Sequence, residues 1–302
     1  ENNGLRFLPL YEAKMIHQFN HRWATYDGMK IRDTKSEELK NKDFSVLPRY
    51  WVSEADVEEN LKAMKWKHPW LMGWRDITNS TNERTIICAT LPLVAVGHSC
   101  PLLFSSSYFS SLSLLMSNLN SFVFDYIARQ KLGGTHVTFS YMNQFPVFHP
   151  EYYKTKTPWY AEISLNDWLS PKILELTYTT EDMRPFAHEM GYDGEPFPWD
   201  EKRRFALRAE LDAAFFHLYL PAEPDGRWRK AVNESETDYR ELTAVFPTPR
   251  HAVDYIMETF PIKKKNDLKA FTSYRTKEVI LHDYDAMLAA IRNGKDWKSP
   301  LF

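Results

Sequence analysis

Glycine is scarce in this chain, at 10 of 302 residues, and it never falls into G-x-G-x-x-G or a P-loop lysine motif. A nucleotide or S-adenosylmethionine site built on a Gly-rich turn is therefore excluded from this stretch. No Asn-Pro-Pro-aromatic or Asp-Pro-Pro-aromatic sequence occurs, and neither do G-x-S-x-G, H-E-x-x-H or a protein-kinase set. Only two cysteines are present, Cys88 and Cys100, which excludes a disulfide framework and a paired-cysteine metal site. Reduced thiols in a cytoplasmic protein are expected. Strong charge is lacking too: the net charge is −2, which argues against a general polyanion binder. Residues 1–150 hold 16 Lys+Arg against 14 Asp+Glu, and residues 151–302 hold 22 against 26. A nucleic-acid surface must then be local and shape-specific.

Residues 85–124 contain no Asp, Glu, Lys or Arg. A spanning helix needs roughly 20 continuous apolar residues, and Pro92, Gly97, His98, Pro101 and a serine-rich run interrupt this one. The expectation is two buried strands, a loop and a packed helix. No signal peptide is visible. A first residue Glu1 in place of Met leads to the expectation that the sequence is part of a longer protein.

The richest stretch is 114–147, LLMSNLNSFVFDYIARQKLGGTHVTFSYMNQFPV. It reads as the end of a long helix (112–131), a Gly-Gly stop and a strand (135–147). Glycines without a Cβ let backbone approach a ligand closely. Arg129, Gln130, Lys131, His136, Asn143 and Gln144 surround the turn, a set suited to an extended anion with readable edges, such as DNA.

The rest of the first half reads as mixed strands and helices. Strands are expected at 5–16, 49–52, 70–77, 84–91 and 93–98, the last two as a hairpin or as consecutive buried strands. Residues 27–42 read as a charged loop. Ser53, with Asp56 in the capping-box position, opens a helix running to about Lys67. After a Pro-, Tyr- and Trp-containing stretch, helices are expected at 171–180, 201–220, 250–260 and 273–293. Breakers lie at 191–199 and 221–225, and a soft boundary near 150–160.

Several small constellations have plainer readings. His17 and His21, with Glu12 near, have metal spacing on a helix but no third ligand, so hydrogen-bonding histidines are expected. His98 and Cys100 near Cys88 suggest a thiol–imidazole pair, yet buried structural thiols are favoured. Asp76 and Glu83, flanked by Arg75 and Arg84, would serve as paired carboxylates, with turn-capping and ion-pairing as the default. Lys263–Lys265 and Arg275–Lys277 are short basic clusters left open, while 207–218 places Leu207, Leu211, Ala214, Phe215 and Leu218 on one packing face.

Four segments taken in order, 8–22 (LPLYEAKMIHQFNHR), 70–92 (WLMGWRDITNSTNERTIICATLP), 114–147, and the tail pieces 208–219 and 252–287, resemble the C-terminal region of type IIG and type IIS restriction-modification proteins. In these an adenine-N6 DNA methyltransferase is fused to a TaqI-like specificity module. The resemblance covers nearly the whole chain. It implies an α+β fold, with a mixed-sheet target recognition domain over 1–155 followed by a mainly helical region over 156–302. It also implies that catalysis sits upstream: the chain itself would hold no cofactor, while the parent protein would bind S-adenosylmethionine and, where it cleaves, magnesium. The implied partners are double-stranded DNA and the upstream methyltransferase domain, with no membrane, and the setting is phage defence in the cytoplasm.

Under this resemblance the DNA-contacting candidates are Lys14, His17 and Arg22, then Arg75 and Arg84, then Arg129, Lys131, Thr135, His136 and Gln144. Gln18, His21, Asn79, Thr81, Asn82 and Asn143 stand beside them. Arg75, Asp76, Arg84, Asn120 and Arg129 match the family pattern and suit scaffold or phosphate-facing roles. Ala13 departs from it, since the family has glycine in L-Y-E-G-K. Two other classes remain: a protein-interaction module docking through Trp159, Tyr160, Trp168 and Trp199, and a metal-dependent hydrolase using Asp76, Glu83 and the histidines.

Overall fold

A computed structural model describes residues 5–105, 111–231 and 233–302. Part of the serine-rich run lies outside these residues. The fold is α+β, with short strands up to Ser164 and helices dominating after it. β1 (Phe7–Tyr11) leads into a 3-10 turn at Ala13–Met15. Ala13 is not among the residues with a left-handed backbone, so alanine fits where the resembled pattern has glycine.

The charged stretch 27–42, expected as a loop, is a hairpin and a helix. β2 (Ala24–Asp27) and β3 (Lys30–Asp33) pair antiparallel around Gly28, whose φ is +59°. α1 (Ser36–Lys40) follows. Tertiary bonds hold this region: the Arg22 guanidinium, fully buried, donates to the carbonyls of Leu39 (2.8 Å), Asn41 (3.0 Å) and Phe44 (3.2 Å). Local composition carries no trace of that anchor.

β4 (Trp51–Ser53) pairs antiparallel with β1. Ser53 is thus strand, and its side chain makes no capping bond to α2 (Glu54–Ala63). The helix stops short of Lys67 because Lys65 turns left-handed at φ +57° and Trp66 turns inward, its indole donating to Trp70 O at 2.8 Å. β5 (Trp70–Trp74) and β6 (Cys88–Pro92) form a fully buried antiparallel pair. β7 (Ala95–Val96) does not fold back on β6; it joins β1 in parallel, making the mixed three-stranded order β4-β1-β7.

The expected helix over 112–131 is two helices, α3 (Leu112–Leu119) and α4 (Phe122–Lys131). The break is specified by Asn120. Its side-chain amide pairs with the edge of β6 as a strand residue would, accepting from Cys88 N at 2.9 Å and donating to Cys88 O at 3.0 Å. Ser121 then caps α4 through Phe124 N, and Asp212 accepts from Phe122 N at 2.7 Å. These acceptors satisfy donors that a helix start leaves unpaired.

The stretch 135–147, expected as a strand, is a brief β-bridge at His136 followed by the short helix α5 (Phe139–Met142). The alternation of Val137, Phe139 and Tyr141 suggests a strand, but only Val137 is buried among the three. Val137 and Phe145 are the anchors, and the segment between them bows outward.

β8 (Lys156–Thr157) and β9 (Tyr160–Ser164) form a last hairpin. α6 (Leu165–Thr177) begins well before the expected Pro171, because Ser164 caps it through Asp167 N at 3.1 Å. α7 (Arg184–Glu189) leads to the long α8 (Glu201–Tyr219). α9 (Glu236–Val245), not anticipated, is followed by α10 (Pro249–Glu258), α11 (Pro261–Phe271), also unanticipated, and α12 (Arg275–Asn293). α12 packs along α8, where the His217 ring stacks on Tyr284 at 3.9 Å and shares a 2.9 Å bond with Tyr284 O.

One apolar core includes residues from Tyr11 to Ala290, with Trp74, Trp159, Phe124, Phe186, Phe215 and Tyr284 wholly enclosed. Each such side chain contributes about 1.5–3 kcal/mol of transfer free energy. Among the described residues no helix is long and apolar enough to cross a membrane.

Candidate nucleic-acid interface

Two buried clusters and one exposed turn account for the sequence-predicted residues. The first cluster centres on Asp125, wholly buried on α4. Its carboxylate accepts from Arg84 Nε at 2.7 Å, from Thr85 N at 3.0 Å and from Arg129 Nε at 3.3 Å. Arg84 also donates to Asn120 O at 2.5 Å and lies 3.9 Å from the Phe122 ring centre. Arg129 donates to Asn82 O (2.7 Å), Glu83 O (3.2 Å) and Thr85 Oγ1 (3.0 Å), and its guanidinium covers the Phe260 ring at 4.1 Å. Both arginines therefore tie the 79–85 loop to α4. Their donors are committed inward.

Arg22 is likewise an internal tie and offers no surface to a duplex. Arg75 donates through Nε to Ile16 O at 2.8 Å, and a second nitrogen contacts the same oxygen; burial lowers its pKa to about 10. His17 lies beside Trp23, ring centres 4.4 Å apart, on a tight turn in which Phe19 has φ +56°. The turn is not a helix, so the metal spacing expected of His17 and His21 is not realised. His21 instead meets Asp182 at 3.2 Å. Burial, then the charges of Arg75, Arg208 and Arg84, hold the His17 imidazole well below its ordinary pKa. Lys14 is exposed on the 3-10 turn, 3.5 Å from Glu12.

The remaining four candidates come together around Gly133 and Gly134. Lys131, Thr135, His136 and Gln144 are all exposed. The frame beneath them is rigid: Thr78 N bonds Thr135 O at 2.9 Å, Val137 N bonds Asp76 O at 2.7 Å, and the Trp74 indole donates to Val137 O at 2.8 Å. His136 Nδ1 lies 2.8 Å from Asp76 Oδ2, with its ring still half exposed at 53%. Lys131 Nζ reaches Gln144 O at 3.3 Å, bridging the two sides of the turn. Asp76 and Glu83 are thus bonded within the protein, Asp76 to His136 and Glu83 to Lys263 at 3.4 Å and Asn266 at 2.6 Å.

The two glycines are not required by the chain itself. Neither has a left-handed φ. A Cβ on Gly134 would meet nothing within 4 Å, and one on Gly133 only the Tyr141 hydroxyl at 3.7 Å. By contrast Gly73 sits in a tight fit, where a Cβ would lie 2.9 Å from Pro101 O.

Other expected constellations resolve simply. Cys88 and Cys100 are free, buried thiols, and burial pushes Cys100 up to about 12 and Cys88 further. Among the described residues no group of three His, Cys, Asp or Glu is placed to hold a metal ion. Trp159, Trp168 and Trp199 are buried and fill the core.

Sequence reasoning missed a cavity of about 70 Å³, partly open to solvent. Its walls come from the His17 turn, α3, α4, α8, α11 and α12, and it brings Arg84, Arg208, Asp212 and Lys263 to one place. Arg208 and Asp212 lie one helical turn apart in a segment otherwise read as a packing face, and that spacing of opposite charges was the available signal.

The chain matches no protein-family model, no curated protein and no solved structure.

Proposed function

We propose that this chain is the sequence-reading part of a restriction-modification adenine-N6 DNA methyltransferase, contacting double-stranded DNA through the Gly133–Gly134 turn while catalysis resides in an upstream domain. The observation that carries this reading is that glycine stands twice where the fold demands neither a left-handed backbone nor a missing side chain. The demand then comes from outside, as when a duplex backbone or groove edge approaches the main chain. Lys131 and Thr135 suit phosphate oxygens, and His136 and Gln144 carry the donor and acceptor types that read base edges. The ordered family-like segments, and the absence from this sequence of an S-adenosylmethionine turn and an Asn-Pro-Pro-aromatic motif, support the same assignment. The parent protein would supply S-adenosylmethionine, and magnesium if it also cleaves. Free thiols and a DNA partner fit the cytoplasm.

The test is fluorescence anisotropy of this chain with a labelled duplex pool at low salt, comparing the parent with Gly134→Leu and Lys131→Ala. Gly134→Leu breaks no internal bond, and Lys131→Ala loses only the exposed 3.3 Å bond to Gln144 O, so melting temperature should hold to within a few degrees. Duplex affinity should fall about tenfold or more for Gly134→Leu, equivalent to about 1.4 kcal/mol. Lys131→Ala should flatten the salt dependence by roughly one counterion. Duplex binding by the parent that Gly134→Leu leaves unaltered would refute the turn as the contact surface, and no salt-dependent duplex binding by the parent would count against the whole reading.

A further inference from the structure

The cavity between α3, α8 and α12 shares no lining residue with the Gly133–Gly134 turn, and it contains polar groups that the protein leaves unused. Ser117 on α3 and Thr276 on α12 are 1% and 5% exposed, and neither hydroxyl has a hydrogen-bond partner. Arg208 on α8, partly exposed, faces the same cavity, where it feels the charges of Glu201 and Asp212 but forms no salt bridge with a described residue. Buried polar groups are normally satisfied, and an orphaned one costs about 1–3 kcal/mol. Two buried orphans lining one cavity, beside a partly exposed arginine, mark a place where acceptors arrive from elsewhere.

We infer that this cavity is a binding site for a small monoanionic carboxylate with an apolar or aromatic body. A planar guanidinium with no partner fits a carboxylate with two parallel bonds. The two hydroxyls each donate one bond and turn freely to meet an oxygen. The charge of the lining decides between oxyanions. Arg84 is paired with Asp125, and Lys263 with Asp267 and Glu83, so Arg208 is the lining cation left without an ion pair among the described residues, a single positive charge that a carboxylate balances and a phosphate dianion exceeds. Phe19, Phe122, Phe205, Leu211 and Ile280 supply the apolar wall, in the mixture typical of small-molecule sites. The Lys263 ammonium is held by Asp267 at 3.2 Å and Glu83 at 3.4 Å, and Arg84 by Asp125, so their positions are set before a ligand enters.

The experiment is calorimetric titration of the full chain, without DNA, using benzoate, its neutral isostere benzamide, and phenyl phosphate. Benzoate should bind saturably below roughly 10 mM, at least tenfold tighter than benzamide and tighter than phenyl phosphate. Arg208→Gln should lose that preference for benzoate over benzamide. Ser117→Ala and Thr276→Val break no bond within the protein, so they fold, and each should weaken benzoate several-fold. The proposal is overturned if benzoate shows no saturable heat, if benzamide binds equally well, or if neither hydroxyl variant changes the affinity. Since no duplex is present, failure here leaves the DNA assay above untouched, and the reverse holds as well.

Discussion

Asp212→Asn should stabilise this protein, and by an amount that grows with pH. Asp212 is buried on α8, where one carboxylate oxygen accepts from Phe122 N at 2.7 Å. Burial, and then the Asp125 charge, raise its pKa from 3.8 to about 6 against the opposing pull of Arg84 and Arg208. At 1.36 kcal/mol per unit, that rise means the ionised carboxylate costs the folded state about 3 kcal/mol. The sign follows from proton counts. Between pH 4 and 6 the folded chain keeps a proton that the unfolded chain has released, so stability falls as pH rises, and the full cost is present above pH 6. Asparagine keeps a carbonyl for Phe122 N and never ionises. Urea denaturation should therefore place Asp212→Asn about 3 kcal/mol above the parent at pH 8 and less than about 1 kcal/mol above it at pH 4. A stability difference that is independent of pH, or a variant less stable than the parent at pH 8, would refute the reasoning.

Two further substitutions probe the frame. Arg22→Met should cost about 3–5 kcal/mol, measured by thermal or urea unfolding, because it strips donors from the Leu39, Asn41 and Phe44 carbonyls in a closed interior; a cost below 1 kcal/mol would show that water replaces the guanidinium. Gly73→Ala should cost about 1–3 kcal/mol in the same assay, since the added Cβ lies 2.9 Å from Pro101 O and 3.0 Å from Cys100 Sγ; unchanged stability would mean that the 100–102 segment yields freely.

What the residues announce and what they conceal divides along physical lines. β5 and β6 were legible because both are short, uncharged and mostly apolar runs, as strands buried on both faces are. α8, α10 and α12 were legible from their 3.6-residue periodicity. The break between α3 and α4 was not, because Asn120 looks like an ordinary helical residue until Cys88, 32 residues away in sequence, claims both ends of its amide. The false strand at 135–147 has the same origin: alternation of apolar residues is local, but which of them finds the core is a tertiary outcome. Among the candidate contact residues, Lys131, Thr135, His136 and Gln144 could be placed from the Gly-Gly turn alone. Arg22, Arg84 and Arg129 could not be separated from them, because an arginine that ties carbonyls together and one that faces solvent are the same letter. Arg208 went unremarked since its isolation is visible only once the neighbouring helices are assembled.

The division between the arginine ties and the Gly133–Gly134 turn has an evolutionary consequence. Arg84, Asp125 and Arg129 bear on stability, whereas Lys131, Thr135, His136 and Gln144 project from the frame and bear little of it; exchanges at such surface positions usually stay within about 0.5 kcal/mol. The protein is thus built so that its outward-facing letters can be rewritten one at a time without a refolding penalty. A selection experiment randomising the four exposed positions should yield folded variants at high frequency, whereas one randomising Arg84, Asp125 and Arg129 should yield few.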